Sequence, residues 1–138
     1  MDFDAIKNFF TERDKLAMLL GIELVEVADG RAVTRMEIKP EHLNGANIVH
    51  GGSIFSLADV AFAAAANSKG FVAVAIAASV SFTKAATRGL LTAEAVVMAD
   101  HPKLSTVWVT VKDGEDNIIA TFQGTAYRKK IDTIEGLN

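Results

Sequence analysis

A long apolar stretch that holds a single ionisable side chain is the feature that most limits how this chain can fold. From Gly51 to Ser68 every residue except Asp59 is Gly, Ala, Ser, Asn or a large hydrophobe. A helix over this stretch would be apolar on nearly all sides and would have to be buried. Burying a carboxylate costs free energy unless it is paired or hydrogen-bonded. We expect Asp59 to be catalytic, with a structural ion pair to a distant Arg or Lys as the alternative.

The length and composition describe an ordinary globular domain. The chain has 138 residues, which suits one domain over residues 1–138 with a continuous hydrophobic core. A net charge of -3 gives no general attraction to nucleic acid, so no nucleic-acid partner is expected. The absence of cysteine excludes disulfides, thiolate metal sites and a cysteine nucleophile.

The N-terminus and the remaining histidines set further expectations. The chain begins with acidic residues where a secretory signal would be basic, which favours a cytoplasmic location. The apolar stretch is too short to span a membrane and contains Asp59, so no membrane partner is expected. Neither His42 nor His101 has the spacing of a metal site, and we predict no metal.

The hydrophobic pattern predicts one α+β domain. An amphipathic N-terminal helix ends at Leu20, and two strands follow, joined by a hairpin turn at Asp29-Gly30. The buried helix comes next, and four strands within residues 71–130 are expected to form an antiparallel meander. The predicted ranges are 1–20 and 51–69 for the helices, and 21–27, 31–38, 71–82, 89–99, 103–111 and 118–127 for the strands.

The central segment also resembles a known family. Asn44, His50-Gly51-Gly52, Asp59 and Asn67-Ser68, within the segment "HGGSIFSLADVAFAAAANSKG", resemble hotdog-fold thioesterases of the phenylacetate-degradation (PaaI) type, in the 4-hydroxybenzoyl-CoA thioesterase superfamily. The resemblance covers roughly residues 15–130 and is most specific over 44–70. It implies a hotdog fold, in which a curved antiparallel sheet wraps a long central helix, and a homodimer paired edge to edge, commonly assembled further into a homotetramer.

Thioester hydrolysis needs a donor for the developing oxyanion and an attacking water or carboxylate. Gly51 and Gly52 stand at a predicted helix start, where backbone N–H groups lack partners and the helix dipole favours negative charge. The resemblance implies that the Gly51 N–H is the oxyanion donor, that His50 orients the thioester or assists the leaving thiolate, and that Asp59 is nucleophile or general base. It also implies that Asn44 positions the attacking water or Asp59.

Two of these residues have simpler alternatives, and their spacing raises a difficulty. His50 could merely cap the helix, and Asn44 in an Asn-Gly pair could be a turn residue. Asp59 lies about 12 Å along the helix axis from its start, at the standard rise. The resemblance implies that the site is shared, with Asn44, His50 and Gly51 from one subunit and Asp59 from the other.

An acyl-CoA substrate needs basic residues for its phosphates and an apolar pocket for its acyl group. Gly52 would allow close approach, and Ser79 could replace a hydroxyl that some relatives place where this chain has Ala75. Each basic candidate could equally be a solvated surface charge. The candidates for the phosphates are Lys84, Arg88, Lys103 and Arg128, and those for the acyl pocket are Phe55 and Phe62.

The expected function is therefore hydrolysis of aryl- or medium-chain acyl-CoA thioesters, with coenzyme A as part of the substrate and no separate cofactor. Two alternatives stay open. A hotdog domain can be an acyl-CoA or acyl-ACP hydratase or dehydratase, which uses a His and a carboxylate to move protons next to the thioester. It can also be a non-catalytic acyl-CoA-binding module.

Overall fold

The computed structural model describes residues 2–129, which form three α-helices and six strands. The predicted domain limits at residues 1 and 138, and the predicted strand end at Lys130, lie outside the described residues. The helices are α1 (Phe3–Arg13), α2 (Lys15–Leu20) and α3 (Gly51–Asn67), with a short 3-10 helix at Pro40–His42. The strands are β1 (Glu23–Ala28), β2 (Arg31–Glu37), β3 (Ala73–Phe82), β4 (Leu90–Asp100), β5 (Leu104–Lys112) and β6 (Ile118–Arg128).

The six strands form one antiparallel, curved sheet in the order β1-β2-β4-β5-β6-β3, and α3 packs across its inner face. Buried and exposed residues alternate along the central strands, so one side of each strand faces the helix. The inward residues include Ala93 and Ala95 of β4 and Val107, Val109 and Val111 of β5, all fully buried. This is the α+β hotdog architecture that the sequence predicted.

The central helix is buried, as its composition predicted, and its far end is tied to the sheet by side chains. Asn67 donates to the Ala73 carbonyl and accepts from the Ala73 N–H at 3.0 Å, which joins the helix end to the start of β3. The Ser68 hydroxyl accepts a hydrogen bond from the Gly30 N–H at 2.8 Å, which holds the β1–β2 turn. Asn67 and Ser68 therefore hold the end of the helix against the sheet.

The prediction of one continuous N-terminal helix was wrong. The backbone of Asp14 is extended, its N–H donates to the Phe10 carbonyl, and its carboxylate accepts from the Ala17 N–H at 3.0 Å. Asp14 therefore ends α1 and caps the start of α2. Aspartate favours this position over a helix interior because its side chain can satisfy an N–H group that lacks an intrahelical partner.

The predicted four-strand meander was also wrong for its first strand. β4, β5 and β6 form a meander, but β3 pairs with β6 at the outer edge, and β2 pairs with β4. The connection over residues 83–89 crosses β5 and β6, a step of about 14 Å at the usual strand spacing. A connection of this length can span that distance, and it can equally form the loop of a hairpin. The order of the strands in the sequence therefore does not determine which strand β3 pairs with.

His42 is a buried structural residue rather than part of a solvated loop. Its Nδ1 accepts from the Lys39 N–H at 2.9 Å, and its Nε2 donates to the Leu20 carbonyl at 2.7 Å. It therefore fastens the end of α2 to the loop that precedes α3. Within residues 2–129 no group of His, Cys, Asp or Glu side chains is arranged to hold a metal ion, and no helix there is long and apolar enough to cross a membrane.

Candidate active site

The first turn of α3 is organised by His50. His50 is the N-cap residue, and its Nδ1 accepts a hydrogen bond from the Gly52 N–H at 2.8 Å. Since Nδ1 is the acceptor, the neutral imidazole carries its proton on Nε2. The side chain is exposed, so this Nε2–H group is available to a ligand. His50 can therefore cap the helix and still donate a hydrogen bond outward.

Gly51 offers the free N–H at this helix start. The Gly52 N–H is already bonded to His50, whereas the Gly51 N–H has no acceptor among residues 2–129. A Cβ added at Gly51 would lie 3.1 Å from Cζ of Phe82, so the ring of Phe82 borders this position closely. The Gly51 N–H lies at the positive end of the helix dipole, where a developing oxyanion is stabilised.

The loop before the helix is closed by Asn44. Its Oδ1 accepts hydrogen bonds from the N–H groups of Ala46 at 2.9 Å and Ile48 at 3.4 Å. A bridge between Leu43 and Val49 completes the closure. The structure thus gives Asn44 the turn role that the Asn-Gly pair suggested, and only its side-chain NH2 group remains available as a donor.

Asp59 lies on the side of α3 that faces a mainly apolar cavity of about 270 Å³, which we call the Asp59 cavity. Its carboxylate is half-buried and has no hydrogen-bond or ion-pair partner within residues 2–129. The structural ion pair considered from the sequence is therefore not formed by the described part of the chain. The walls come from α1, α3, β3 and β6 and include Phe9, Phe10, Phe62, Ala75 and Ala126.

The surroundings of Asp59 favour its protonated form. Burial raises the pKa of the Asp59 carboxyl, because removing water penalises the charged state, and the negative charge of Asp14 raises this pKa further. A carboxylate with a raised pKa is a stronger base, and its pKa lies closer to the pH at which an enzyme works. The break between α1 and α2 thus places Asp14 where its charge raises the pKa of Asp59, the proposed catalytic residue.

One subunit does not bring the oxyanion donor and the acid together. Asp59 is the eighth residue after Gly51 in α3, which places it about 12 Å further along the helix axis. Strand β3 is an edge strand whose other side has no partner in the described chain, and most of its residues are exposed. An open edge of this length is a surface for pairing with another strand.

The predicted acyl-pocket residues take different positions. Phe62 is fully buried, packs on Phe122 at 5.6 Å between ring centres and lines the Asp59 cavity. Phe55 packs edge-on against Phe122 at 5.4 Å and is not part of that lining. Ala75 lines the cavity, whereas Ser79 is exposed further along β3 opposite Gln123.

The basic candidates do not form one cluster. Lys84 and Arg88 lie in the β3–β4 connection, at the end of the sheet where the loop backbone meets the helix start, since the Val49 N–H donates to the Ala86 carbonyl. Lys103 lies in the β4–β5 turn at the opposite end. Arg128 is engaged in an ion pair with Asp100 and stacks on Phe71 at 4.6 Å.

Sequence reasoning missed four residues around this site: Phe9, Phe10, Asp14 and Phe82. The two phenylalanines of α1 look like an ordinary apolar stripe, and Phe82 looks like the end of a strand. Asp14 carried a detectable signal, because an Asp just before an apolar helical stretch is typical of an N-cap. No sequence pattern indicates that α1 lies beside Asp59.

Comparison with known proteins finds similar sequences and a similar solved structure. A family model described as "Thioesterase superfamily" matches residues 46–120. A putative esterase of Archaeoglobus fulgidus is 44% identical over 91% of this chain and 82% of its own length. Acyl-coenzyme A thioesterase PaaI of Escherichia coli is 36% identical over 85% of this chain and 84% of its own length. The solved structure of the E. coli PaaI protein, from the phenylacetic acid degradation operon, matches with a TM-score of 0.90 at 32% identity, covering 95% of this chain and 96% of that one.

Proposed function

The chain belongs to the thioesterase superfamily and is a thioester hydrolase of the hotdog fold, and we propose that its substrates are aryl- or medium-chain acyl-CoA thioesters. The observation that carries the mechanism is Asp59, a half-buried carboxylate of raised pKa that has no partner within residues 2–129 and lies beside an apolar cavity. Such a group is costly to keep in a fold and is typical of an active site.

In the proposed reaction Asp59 is either the general base or the nucleophile. As base, its carboxylate removes a proton from water while the water oxygen attacks the thioester carbon. As nucleophile, its oxygen attacks that carbon, the thiolate leaves, and water then hydrolyses the resulting anhydride. Both routes end in a free acid and a free thiol, and they require only water besides the substrate.

The Gly51 N–H stabilises the oxyanion that forms when the thioester carbonyl is attacked. The outward Nε2–H of the adjacent residue His50 donates to the thioester or to the departing sulfur. The side-chain NH2 of Asn44 is the remaining donor of the same loop, and it positions the attacking water or Asp59. A second subunit supplies the Asp59 that acts with these donors. Within one chain the distance along α3 keeps Asp59 away from the Gly51 N–H. The open edge of β3 supports such a homodimer.

The phosphates of coenzyme A bind at the end of the sheet that carries the helix start. Lys84 and Arg88 are exposed there, in the connection whose Ala86 carbonyl accepts from the Val49 N–H, and can reach negative groups outside the cleft. Lys103, at the other end of the same subunit, cannot contact the same phosphate and would have to act from the partner. The acyl group enters the Asp59 cavity, whose walls include Phe62.

The test is release of free thiol from phenylacetyl-, benzoyl- and straight-chain acyl-CoA thioesters by native protein and by Asp59→Asn. We expect hydrolysis by the native protein and its collapse in the variant, with the fold retained. The matched control is Asp116→Asn, which changes an exposed turn residue at φ 63°, a conformation that Asn tolerates. A change in unsaturation without thiol release would indicate a hydratase, and saturable binding without turnover would indicate a binding module.

A further inference from the structure

A second cavity lies on the other side of α1 from the Asp59 cavity. It has a volume of about 360 Å³, is partly open to solvent and is lined by α1, α2, β1, β2 and the middle of α3. Its lining is mainly apolar and includes the buried Leu24 and Val60 and the exposed Met18 and Val25. Val60 follows Asp59 directly in the helix, so the two cavities flank neighbouring positions of α3.

Phe10 is the residue that the two cavities share. Its side chain is 9% exposed, and Phe9 packs against it edge to face at 5.5 Å between ring centres. This contact and the surrounding core fix the ring in place. The ring therefore forms a wall between the Asp59 cavity and the second cavity.

The size of the Asp59 cavity by itself suits a small acyl group. Its volume of about 270 Å³ is just below the lower end of the usual range for small-molecule sites, about 300 Å³. Joining the second cavity to it would more than double the space available. Phe10 forms the wall between the two cavities. A smaller side chain at this position would join them and lengthen the pocket.

We propose that Phe10 determines which acyl chains the enzyme accepts, because its ring closes the Asp59 cavity against the second cavity. This inference rests on the proposed hydrolysis of acyl-CoA thioesters at Asp59. The native enzyme accepts compact acyl groups that end at the ring. A longer chain is excluded, although apolar space to hold it lies immediately beyond.

The experiment compares kcat/KM for octanoyl-CoA and tetradecanoyl-CoA in native protein and in Phe10→Leu. Leucine retains an apolar side chain but removes part of the wall. We expect the ratio of tetradecanoyl to octanoyl activity to rise by about tenfold or more, the size of effect that a change in a hydrophobic pocket produces. Phe10→Met, whose flexible side chain adapts to an irregular gap, replaces Phe10→Leu if that variant does not fold.

Two further variants separate this role from a general loosening of α1. Phe3→Leu makes the same substitution on the same helix at a residue that lines neither cavity, and it should leave the ratio unchanged. Adding Val25→Phe to Phe10→Leu refills the second cavity and should return the ratio to its native value. Val25→Phe alone should leave the native ratio unaltered.

The outcomes distinguish the two proposals. The role of Phe10 is supported if Phe10→Leu raises the ratio of tetradecanoyl to octanoyl activity and the added Val25→Phe reverses that rise. Equal changes for both substrates, or a gain that Val25→Phe does not reverse, would overturn it while the hydrolase function stands. Failure of the native protein to hydrolyse any acyl-CoA would instead contradict the proposed function, and the inference about Phe10 with it.

Discussion

The Nδ1 atom of His50 accepts a hydrogen bond from the Gly52 N–H at 2.8 Å, so the candidate catalytic histidine is also the cap of the central helix. The sequence left these two roles as alternatives. They are compatible because an imidazole has two nitrogens, one of which accepts from the backbone while the other donates outward. The cap also fixes which nitrogen faces the substrate.

The double role of His50 predicts that its structural and catalytic effects can be separated. His50→Ala should lose activity and about 1 kcal/mol of stability, because the cap is lost. His50→Asn should recover most of that stability, since Asn caps helices well, while activity stays low without an imidazole. Thermal unfolding and thiol release on the same preparations check this. An active Asn variant would contradict the catalytic role.

Gly51 is predicted to tolerate no side chain. A Cβ there would lie 3.1 Å from Cζ of Phe82, so the ring would have to shift beside the N–H that the oxyanion needs. We expect Gly51→Ala to lower kcat/KM about tenfold or more, with helical content retained because Ala is a good helix former. Gly45→Ala is the control, since a Cβ at Gly45 meets nothing within 4 Å. Equal activity of the two variants would exclude the oxyanion role of Gly51.

Asp14 is predicted to shift the pH dependence of activity. Its charge raises the pKa of Asp59, so Asp14→Asn should lower that pKa while Asn still caps α2. A catalytic carboxylate must be deprotonated, so the acidic limb of the pH profile should move to lower pH. Profiles of kcat/KM for the native protein, Asp14→Asn and the exposed control Asp4→Asn test this. A limb that stays in place would show that Asp14 does not influence catalysis.

Asp59 is predicted to reduce stability at neutral pH. Burial raises its pKa in the folded state above the unfolded value, so the folded state binds the proton more tightly. The stability from this group is therefore present at acid pH and is lost as the pH rises through the folded pKa. We expect Asp59→Asn to be at least as stable as native protein at neutral pH, with the difference shrinking at acid pH. Denaturant unfolding at both pH values measures it.

The shared site predicts complementation between inactive subunits. His50→Ala and Asp59→Ala proteins should each be inactive as homodimers. When their subunits exchange, a heterodimer contains one site with both native groups, and activity should return in part. Thiol release after mixing, with heterodimers confirmed by differently sized tags, gives the answer. Heterodimers that form and remain inactive would exclude a site built from two subunits.

Residues that act through local chemistry were predictable from the sequence, and residues that act through distant contacts were not. The central helix, the β1–β2 turn and the α+β class follow from composition and periodicity. Asp14 and β3 were misassigned because a helix break and an edge pairing depend on competing local and long-range contacts. Phe9 and Phe10 were missed because only packing of α1 beside α3 brings them to Asp59.

The sequence by itself determined that an almost wholly apolar helix must be buried and that its one acid needs either a partner or a function. It also determined the glycine pair at the helix start, where free N–H groups are a local property of the backbone. Only the tertiary structure decided that β3 is an open edge, that Asp14 influences Asp59 and that Phe10 separates two cavities. These features join residues far apart in the chain, and no local pattern encodes such contacts.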